Sequence, residues 1–315
     1  MKHIWVVFLL IPLQLNAFDD ESIMNSAHVA YQKKNYVDTL HYFKLSAKQG
    51  NKKAQYYLGT MHMLGQGVSQ NYNEAIKWFT KAAQQEHIGS QANLGRLYML
   101  EGDQQDYNQA IKWLSKAAKQ KHIKSRVLLG RLYLLEGEHQ NISAAISLLT
   151  LASNQKDPEA PYWLGKIYDA GLVGVSQDHK FAAEWYRKAA KLGHVQAQYY
   201  LGQMYEKGQG VGLNHKKALL WYGNAAKQEN ISAEIALGDM YFEGKGVTQN
   251  DIVAFHWYQK AANQGSKGAM SLLGLMYEYG AGVTQDKQKA LALYKKSDPD
   301  RYSTLKSQLK LQTSN

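Results

Sequence analysis

The chain has 315 residues, of which 45% are hydrophobic, 20% are charged and only 4 are prolines; this composition excludes a long disordered or loop-rich protein. It has no cysteine, which excludes disulfides and a lipid-modified cysteine anchor. The formal charge of +11 is not gathered into a long run of Lys or Arg, so no nucleic-acid partner is expected.

The first predicted element is a signal peptide over residues 1–17. The segment MKHIWVVFLLIPLQLNA has a basic start at Lys2, an apolar run from Ile4 to Leu13 and the small residue Ala17 before the acidic FDDE. The run is shorter than the about 20 residues that span a bilayer, which favours cleavage near Ala17 over a permanent anchor. The sequence therefore predicts an exported chain, periplasmic or secreted, with no transmembrane segment after cleavage.

A repeat follows the signal peptide. Seven Leu-Gly pairs recur at intervals of 35–37 residues, and three residues after each glycine stands a tyrosine, except for His62 in the first repeat. In the sixth repeat, Ala233, Leu237 and Tyr241 recur every four residues, as they do along one face of a helix. The segment AFHWYQKAA, residues 254–262, then has the apolar spacing of a second amphipathic helix. Each repeat is thus predicted to be a helical hairpin.

The small residues of the repeat predict close packing between helices. Glycine in the Leu-Gly pair costs about 1 kcal/mol of helix propensity relative to alanine, a penalty that is tolerable where another backbone comes close. We expect the large partner to be the tryptophan of the second helix, which can fill the gap between neighbouring hairpins. These tryptophans are Trp78, Trp113, Trp185, Trp221 and Trp257.

The repeat resembles a known family. The arrangement A-x-x-x-L-G-x-x-Y-x-x-G-x-G-V, followed by A-x-x-W-Y-x-K-A-A, is similar to the Sel-like repeat, a longer relative of the tetratricopeptide repeat; residues 197–226 and 233–262 match it closely. The resemblance implies an all-α fold, a right-handed α-solenoid of stacked helical hairpins with a concave groove that binds a protein or peptide.

The resemblance also suggests boundaries. Residues 51–297 form seven Sel-like repeats, and residues 18–50 resemble a plain tetratricopeptide hairpin without the glycine insert. Asp298-Pro299 stops the last repeat helix, so residues 298–315 are predicted to form a C-terminal capping helix and tail. Repeats two to four depart from the usual glycine spacing, which predicts local irregularity between about residues 95 and 185.

Gly244-Lys245-Gly246 looks like part of a phosphate-binding loop, but the other repeats argue against that interpretation. The equivalent positions read Gly-Gln-Gly at 65–67 and 208–210 and Gly-Ala-Gly at 280–282, so lysine is not required there. A phosphate loop also needs a preceding strand and a Lys followed by Ser or Thr. We interpret the segment as a turn, with Lys245 in solvent.

Metal and catalytic sites are not predicted either, and no cofactor is expected. His87, His122 and His194 occupy the same turn of different repeats, too far apart for the first shell of one ion, and are interpreted as surface turn residues. Ser-x-x-Lys occurs at Ser153 and elsewhere without the other motifs of penicillin-recognising enzymes. Some Sel-like proteins are associated with β-lactam binding or hydrolysis, but they are rich in cysteine. An enzyme of that type, or a peptidoglycan-associated regulator, remains the alternative to a non-enzymatic scaffold.

In tetratricopeptide-type solenoids the first helix of each hairpin lines the groove. By that resemblance, the residue after each Leu-Gly pair faces the partner, and Arg96, Arg131 and Lys166 put a cation there in three consecutive repeats. The remaining groove candidates are Tyr56, Tyr162, Tyr199, Glu206 and Asp239. We expect the cations to bind carboxylates of an acidic peptide or a peptidoglycan stem. The resemblance further implies a role in envelope homeostasis or, in a pathogen, in host-cell interaction and virulence.

Overall fold

The computed structural model describes residues 19–100, 102–103, 105–135 and 137–313, which form 17 α-helices with no strand among these residues. The predicted signal peptide, residues 1–17, lies outside them. The chain divides into two compact units: unit 1 ends at Leu132 and unit 2 begins at Tyr133. The predicted all-α fold class is confirmed.

The helices are short and similar in length. Unit 1 contains α1 (Asp20–Gln32), α2 (Tyr36–Lys48), α3 (Lys52–Leu64), α4 (Tyr72–Gln84), α5 (Ile88–Leu97), α6 (Tyr107–Lys119) and α7 (Ile123–Leu132). Unit 2 contains α8 (Ile142–Ser153), α9 (Glu159–Ala170), α10 (His179–Lys191), α11 (Val195–Lys207), α12 (His215–Ala226), α13 (Ile231–Glu243), α14 (Asp251–Asn263), α15 (Lys267–Tyr279), α16 (Lys287–Ser297) and α17 (Pro299–Thr313).

Within each unit the helices pack as stacked hairpins. In unit 1, α1 pairs with α2, α3 with α4 and α5 with α6, and the second helix of each hairpin contacts the first helix of the next. In unit 2 the same arrangement joins the hairpins from α9–α10 to α15–α16, with α8 against α9 and α17 against α16. The predicted stack of hairpins is therefore confirmed inside each unit.

The second helix of every Sel-like hairpin begins at an asparagine or aspartate. The side-chain oxygen of each of these residues accepts a hydrogen bond from an amide in the first turn, two or three residues later, at 2.9–3.1 Å. The residues are Asn71, Asp106, Asn141, Asp178, Asn214, Asn250 and Asp286. Their own backbone N–H groups donate to the carbonyl of the recurring tyrosine, or of His62, at 2.8–2.9 Å. These two hydrogen bonds fix the turn between the helices of a hairpin. They also give partners to backbone groups at the helix ends that have none within the helix.

The Gly-Lys-Gly segment is a turn, as predicted. Gly244 ends α13 in the left-handed conformation at φ 70°, which favours glycine. Gly246, at φ 73°, lies against the first turn of α12, where a Cβ atom would stand 2.6 Å from the Cβ of His215. Gly244 therefore supplies the left-handed conformation that ends α13. Gly246 has the same conformation and also leaves room for the backbone to contact the preceding hairpin.

The packing partner of the Leu-Gly glycine differs from the prediction. A Cβ atom on Gly59, Gly165 or Gly202 would lie 2.6 Å from a ring carbon of Phe79, Tyr186 or Tyr222. Gly238 and Gly274 would meet Tyr258 and Tyr294 at 2.4 Å, and Gly95 would meet Leu114 at the same distance. The partner is thus the residue after the tryptophan, because that residue points into the hairpin. Among the predicted tryptophans, Trp113 is buried and packs in one cluster with Phe79 of the preceding hairpin, whereas Trp78, Trp185, Trp221 and Trp257 are half-buried.

The first helices of repeats two and three are shorter than the others. α5 and α7 have 10 residues each, whereas α3, α11, α13 and α15 have 13. Both short helices belong to repeats that lack the Gly-x-Gly-Val turn, so no left-handed glycine ends them one turn later. The irregularity expected between residues 95 and 185 takes this form in unit 1.

Candidate functional site

The predicted groove residues lie on the first helices of the hairpins, and we call this surface the first-helix face. In unit 1 it includes Tyr56 on α3, Arg96 on α5 and Arg131 on α7. In unit 2 it includes Tyr162 and Lys166 on α9, Tyr199 and Glu206 on α11, and Asp239 on α13. The predicted run of three cations is therefore divided, with Lys166 in the second unit.

The unit 1 part of the face presents two arginines. Arg96 and Arg131 are both exposed, and the helices that bear them, α5 and α7, contact each other. The Nη2 atom of Arg96 lies 3.6 Å from the sulfur of Met63 on α3. Tyr56 is half-buried, with its ring centroid 5.8 Å from that of Phe79 and 4.8 Å from that of His87. The structure brings the two guanidinium groups onto neighbouring helices, whereas Tyr56 mainly packs between hairpins.

The aromatic residues of the unit 2 face are also partly used in packing. The Tyr162 ring stacks on His194 at 4.2 Å, and the Tyr199 hydroxyl accepts a hydrogen bond from Gln203 Nε2 at 2.9 Å. Lys166 Nζ lies 5.5 Å from the ring centroid of Trp163 on the same helix. Both tyrosines are half-buried: Tyr162 packs against the next hairpin, whereas Tyr199 contacts residues of its own hairpin.

A feature that the sequence analysis missed is a series of tyrosine–carboxylate pairs in unit 2. In α10, α12, α14 and α16, a buried tyrosine donates its hydroxyl to an acid on the first helix of the same hairpin. The pairs are Tyr186–Asp169 at 3.3 Å, Tyr222–Glu206 at 2.7 Å, Tyr258–Asp239 at 2.6 Å and Tyr294–Glu278 at 2.7 Å. Burial, first of all, raises the pKa of each tyrosine hydroxyl, so all four stay protonated donors.

Comparison of the repeats would have revealed these pairs. Where the second helix has tyrosine, an acid stands on the facing turn of the first helix; where it has Phe79, Leu114 or Leu149, the facing residue is apolar. Those apolar residues are Met63, Met99 and Leu134. In the sixth repeat the acid is Asp239, which stands one helical turn before the position that Glu206 and Glu278 occupy in their repeats. Its carboxylate still accepts the hydrogen bond from the tyrosine hydroxyl of the second helix.

Asp239 and Glu206 belong to one charged group in unit 2. Burial raises the pKa of Asp239, the hydrogen bond from Tyr258 lowers it, and the charges of Glu243 and Glu206 raise it again. Lys245, from the Gly-Lys-Gly turn, lies 2.6 Å from Glu243 and 3.7 Å from Glu206. The prediction that Lys245 is merely solvated is therefore wrong, because its ammonium group neutralises part of this acidic surface.

In the part of the chain that the structure describes, the histidines do not gather into a metal site, and Ser153 is not paired with Lys156. Among residues 19–313, with the exception of positions 101, 104 and 136, no group of His, Asp and Glu is arranged to hold a metal ion. Ser153 is 1% exposed; its hydroxyl donates to the Thr150 carbonyl and accepts from Lys188 Nζ at 3.3 Å rather than from Lys156. A buried hydroxyl with these partners is part of the packing between hairpins.

Comparison with known proteins agrees with the repeated geometry. The family model described as Sel1 repeat matches eight segments: residues 30–51, 52–87, 88–122, 124–157, 158–194, 195–230, 231–266 and 268–297. This chain belongs to the Sel1 repeat family. The predicted family is confirmed, and Sel1 repeat solenoids generally act as non-catalytic scaffolds for protein–protein interaction.

Two solved Sel1-type structures extend the match over nearly the whole chain. A Sel1 repeat protein from Oxalobacter formigenes is 31% identical, with a TM-score of 0.78, and the match covers 94% of this chain and 88% of that one. The protein c5321, described as a protective antigen present in uropathogenic Escherichia coli strains and displaying an SLR fold, is 27% identical, with a TM-score of 0.55 and coverage of 94% and 72%. No curated protein sequence matches the chain. The Sel1 matches confirm the predicted α-solenoid of hairpins.

Proposed function

We propose that this Sel1 repeat protein is an exported scaffold that binds an acidic peptide segment of a protein partner through the first-helix face of unit 1. The observation that carries the proposal is the pair of exposed arginines, Arg96 and Arg131, at equivalent positions of the contacting helices α5 and α7. A guanidinium group presents several donors in a plane and suits carboxylates better than an ammonium does.

The helix spacing restricts the acceptable ligand. Packed helices lie about 8–10 Å apart, and an extended peptide advances about 3.3 Å per residue. Two carboxylates about three residues apart in an extended segment therefore match Arg96 and Arg131. Lys166 belongs to unit 2 and is treated as a separate contact.

Charge reversal tests the arginine pair. In the full chain, Arg96→Glu with Arg131→Glu should weaken binding of synthetic extended peptides with glutamates three residues apart by about tenfold or more, or about 1.4 kcal/mol. The probe set also includes soluble peptidoglycan stem peptides, and Lys166→Glu is measured alone. Binding is measured by fluorescence anisotropy at low salt, because screening weakens exposed ion pairs.

A matched control distinguishes loss of the arginine site from a general effect of the changed net charge. Lys44→Glu with Lys119→Glu changes the charge of unit 1 equally, but places both changes on the second helices α2 and α6. The proposal requires this control to bind like the natural chain. Equal affinities for the two double variants, or binding of stem peptides alone, would contradict it.

Export is the second part of the proposal, and residues 1–17 carry it. Their basic start, apolar run and small residue at Ala17 are typical of a cleaved signal. When the full chain is expressed in a Gram-negative host, N-terminal sequencing of the periplasmic and secreted fractions should find a chain that starts at Phe18. Leu9→Arg, which breaks the apolar run, should leave the chain uncleaved in the cytosol. The proposed role at the cell envelope or in host contact, and in virulence where the source is a pathogen, requires this cleavage.

A further inference from the structure

Three first helices begin at a histidine whose ring takes part in the helix cap. Nδ1 of His87 accepts a hydrogen bond from the backbone N–H of Ser90 at 3.2 Å, at the start of α5. Nδ1 of His122 accepts from Ser125 N–H at 3.3 Å, at the start of α7, and Nδ1 of His194 accepts from Ala197 N–H at 3.1 Å, at the start of α11. The residues predicted to be surface turn histidines are therefore caps.

A ring nitrogen can accept this bond only while it carries no proton. Protonation turns Nδ1 into a donor that faces the N–H donor of the first turn. In α5 and α7 the protonated Nδ1 can donate to a serine hydroxyl, which lies 3.1 Å from Nδ1 of His87 and 2.9 Å from Nδ1 of His122. The backbone amide that Nδ1 had capped nevertheless loses its acceptor. The added positive charge also stands at the N-terminal end of a helix, where the helix dipole disfavours cations.

The surroundings of His87 and His122 oppose protonation. Burial, followed by the charges of Lys52 and Lys53 on α3, lowers the pKa of His87. Burial, followed by the charge of Lys124 on α7, lowers the pKa of His122. Both histidines in unit 1 are therefore neutral caps near pH 7.

His194 in unit 2 faces acids as well. Its Nε2 atom lies 3.4 Å from Glu159 Oε1, which places the proton of the neutral ring on Nε2 and leaves Nδ1 to cap α11. Burial lowers the pKa of His194, while Glu159 and Asp157 at the start of α9 act in the opposite direction. His194 should lose its cap at a lower energetic cost than His87 or His122, because protonation strengthens its pairing with Glu159.

We propose that the three histidine caps make both units acid-sensitive, so that the first turns of α5, α7 and α11 open when the histidines take up a proton. Two first helices, α3 and α13, have an asparagine cap, which carries no charge at either pH. Asn51 Oδ1 accepts from Ala54 N–H at 3.0 Å, and Asn230 Oδ1 accepts from Ala233 N–H at 2.8 Å. Mild acid should therefore open the first turns of α5, α7 and α11 and leave those of α3 and α13 intact.

The direction of the effect follows from the direction of the pKa shifts. The ordinary histidine pKa is 6.5, and all three folded-state values lie below it. The caps therefore contribute their full stability above about pH 6.5, and this contribution is lost as the pH falls through 6.5 towards the lowered values. This acid sensitivity is independent of the proposed partner and of export.

The test replaces the three histidines by the residue that the chain itself uses at Asn51 and Asn230. In the full chain, the melting temperature of the natural protein and of His87→Asn/His122→Asn/His194→Asn is measured between about pH 7.5 and pH 5. The natural protein should lose about 2–4 °C more than the variant for each cap that titrates. His256→Asn, which removes an exposed histidine from α14, should behave like the natural protein.

Amide hydrogen exchange of the natural protein gives a second readout that needs no substitution. Between the same pH values, and after correction for intrinsic exchange, the amides of Ser90, Ser125 and Ala197 should lose protection, whereas those of Ala54 and Ala233 should keep it. Equal melting-temperature losses in natural and triple-variant proteins overturn the proposal. Equal protection of the two sets of amides also overturns it, even if the triple variant does not fold.

Discussion

The glycine of the Leu-Gly pair leaves space for a large side chain of the second helix. Gly202 lies under the ring of Tyr222, and a Cβ atom there would be 2.6 Å from two ring carbons. The ring is fully buried, so it has no free space into which to move. The residue therefore sets the separation of α11 and α12.

Gly202→Ala should lower the free energy of unfolding by about 1–3 kcal/mol, because overpacking outweighs the gain in helix propensity. The control is Gly223→Ala on α12, where a Cβ atom would meet no other atom within 4 Å. That substitution should raise the stability by about 0.5–1 kcal/mol. Urea unfolding followed by circular dichroism compares the two, and a Gly202→Ala protein as stable as Gly223→Ala would disprove the packing argument.

The tyrosine hydroxyls position the carboxylates of the unit 2 face. Tyr258→Phe removes the donor to Asp239 and should cost about 1 kcal/mol of stability, the usual net value of one hydrogen bond. It should also raise the pKa of Asp239 further, because the Tyr258 hydrogen bond is the contact that lowers it. Carboxyl NMR titration measures this shift, with the signal of Glu278, which pairs with Tyr294 in another hairpin, as the internal control. An unchanged or lower Asp239 pKa would contradict the role of the pair.

At the scale of the helix, equivalent elements of the chain are not chemically equivalent. The first helices begin at His, Asn, Ser or Asp side chains that accept the same type of bond, yet of these only histidine changes its charge in mild acid. Replacing His87 by asparagine therefore tests whether the start of the whole helix α5 responds to acid, and not only whether one side chain does. The helix ends vary too, since α5 and α7 stop early where the Gly-x-Gly turn is missing.

For the whole molecule, net charge is a poor guide to the binding surface. The chain is formally +11, yet the first-helix face of unit 2 carries Asp169, Glu206, Asp239 and Glu278. Each of these acids accepts a tyrosine hydrogen bond, and Glu206 and Glu278 also pair with Lys245 and Arg301. The positive excess is thus distributed elsewhere, and the charge of the face must be considered unit by unit. Of the helices described, none has the length and apolar character needed to cross a membrane.

Much of the fold follows from the sequence because its determinants are local. The period of 35–37 residues, the apolar spacing within each half and the glycines at the turns predict paired helices without any coordinates. The residues of the repeat motif add the resemblance to the Sel1 family. The same local signals exclude a phosphate loop at Gly244–Gly246. Helix periodicity and turn chemistry act over a few residues, so they can be recognised in one chain.

The sequence by itself determined the repeats, the helical hairpins and the family. Only the tertiary structure decided that Tyr222, and not Trp221, packs on Gly202, that Lys245 pairs with Glu206, and that His87 caps a helix. The first two contacts join residues about 20 or 40 positions apart, and all three depend on side-chain direction. One residue along a helix turns a side chain by about 100°, and periodicity alone does not say which neighbour it then meets.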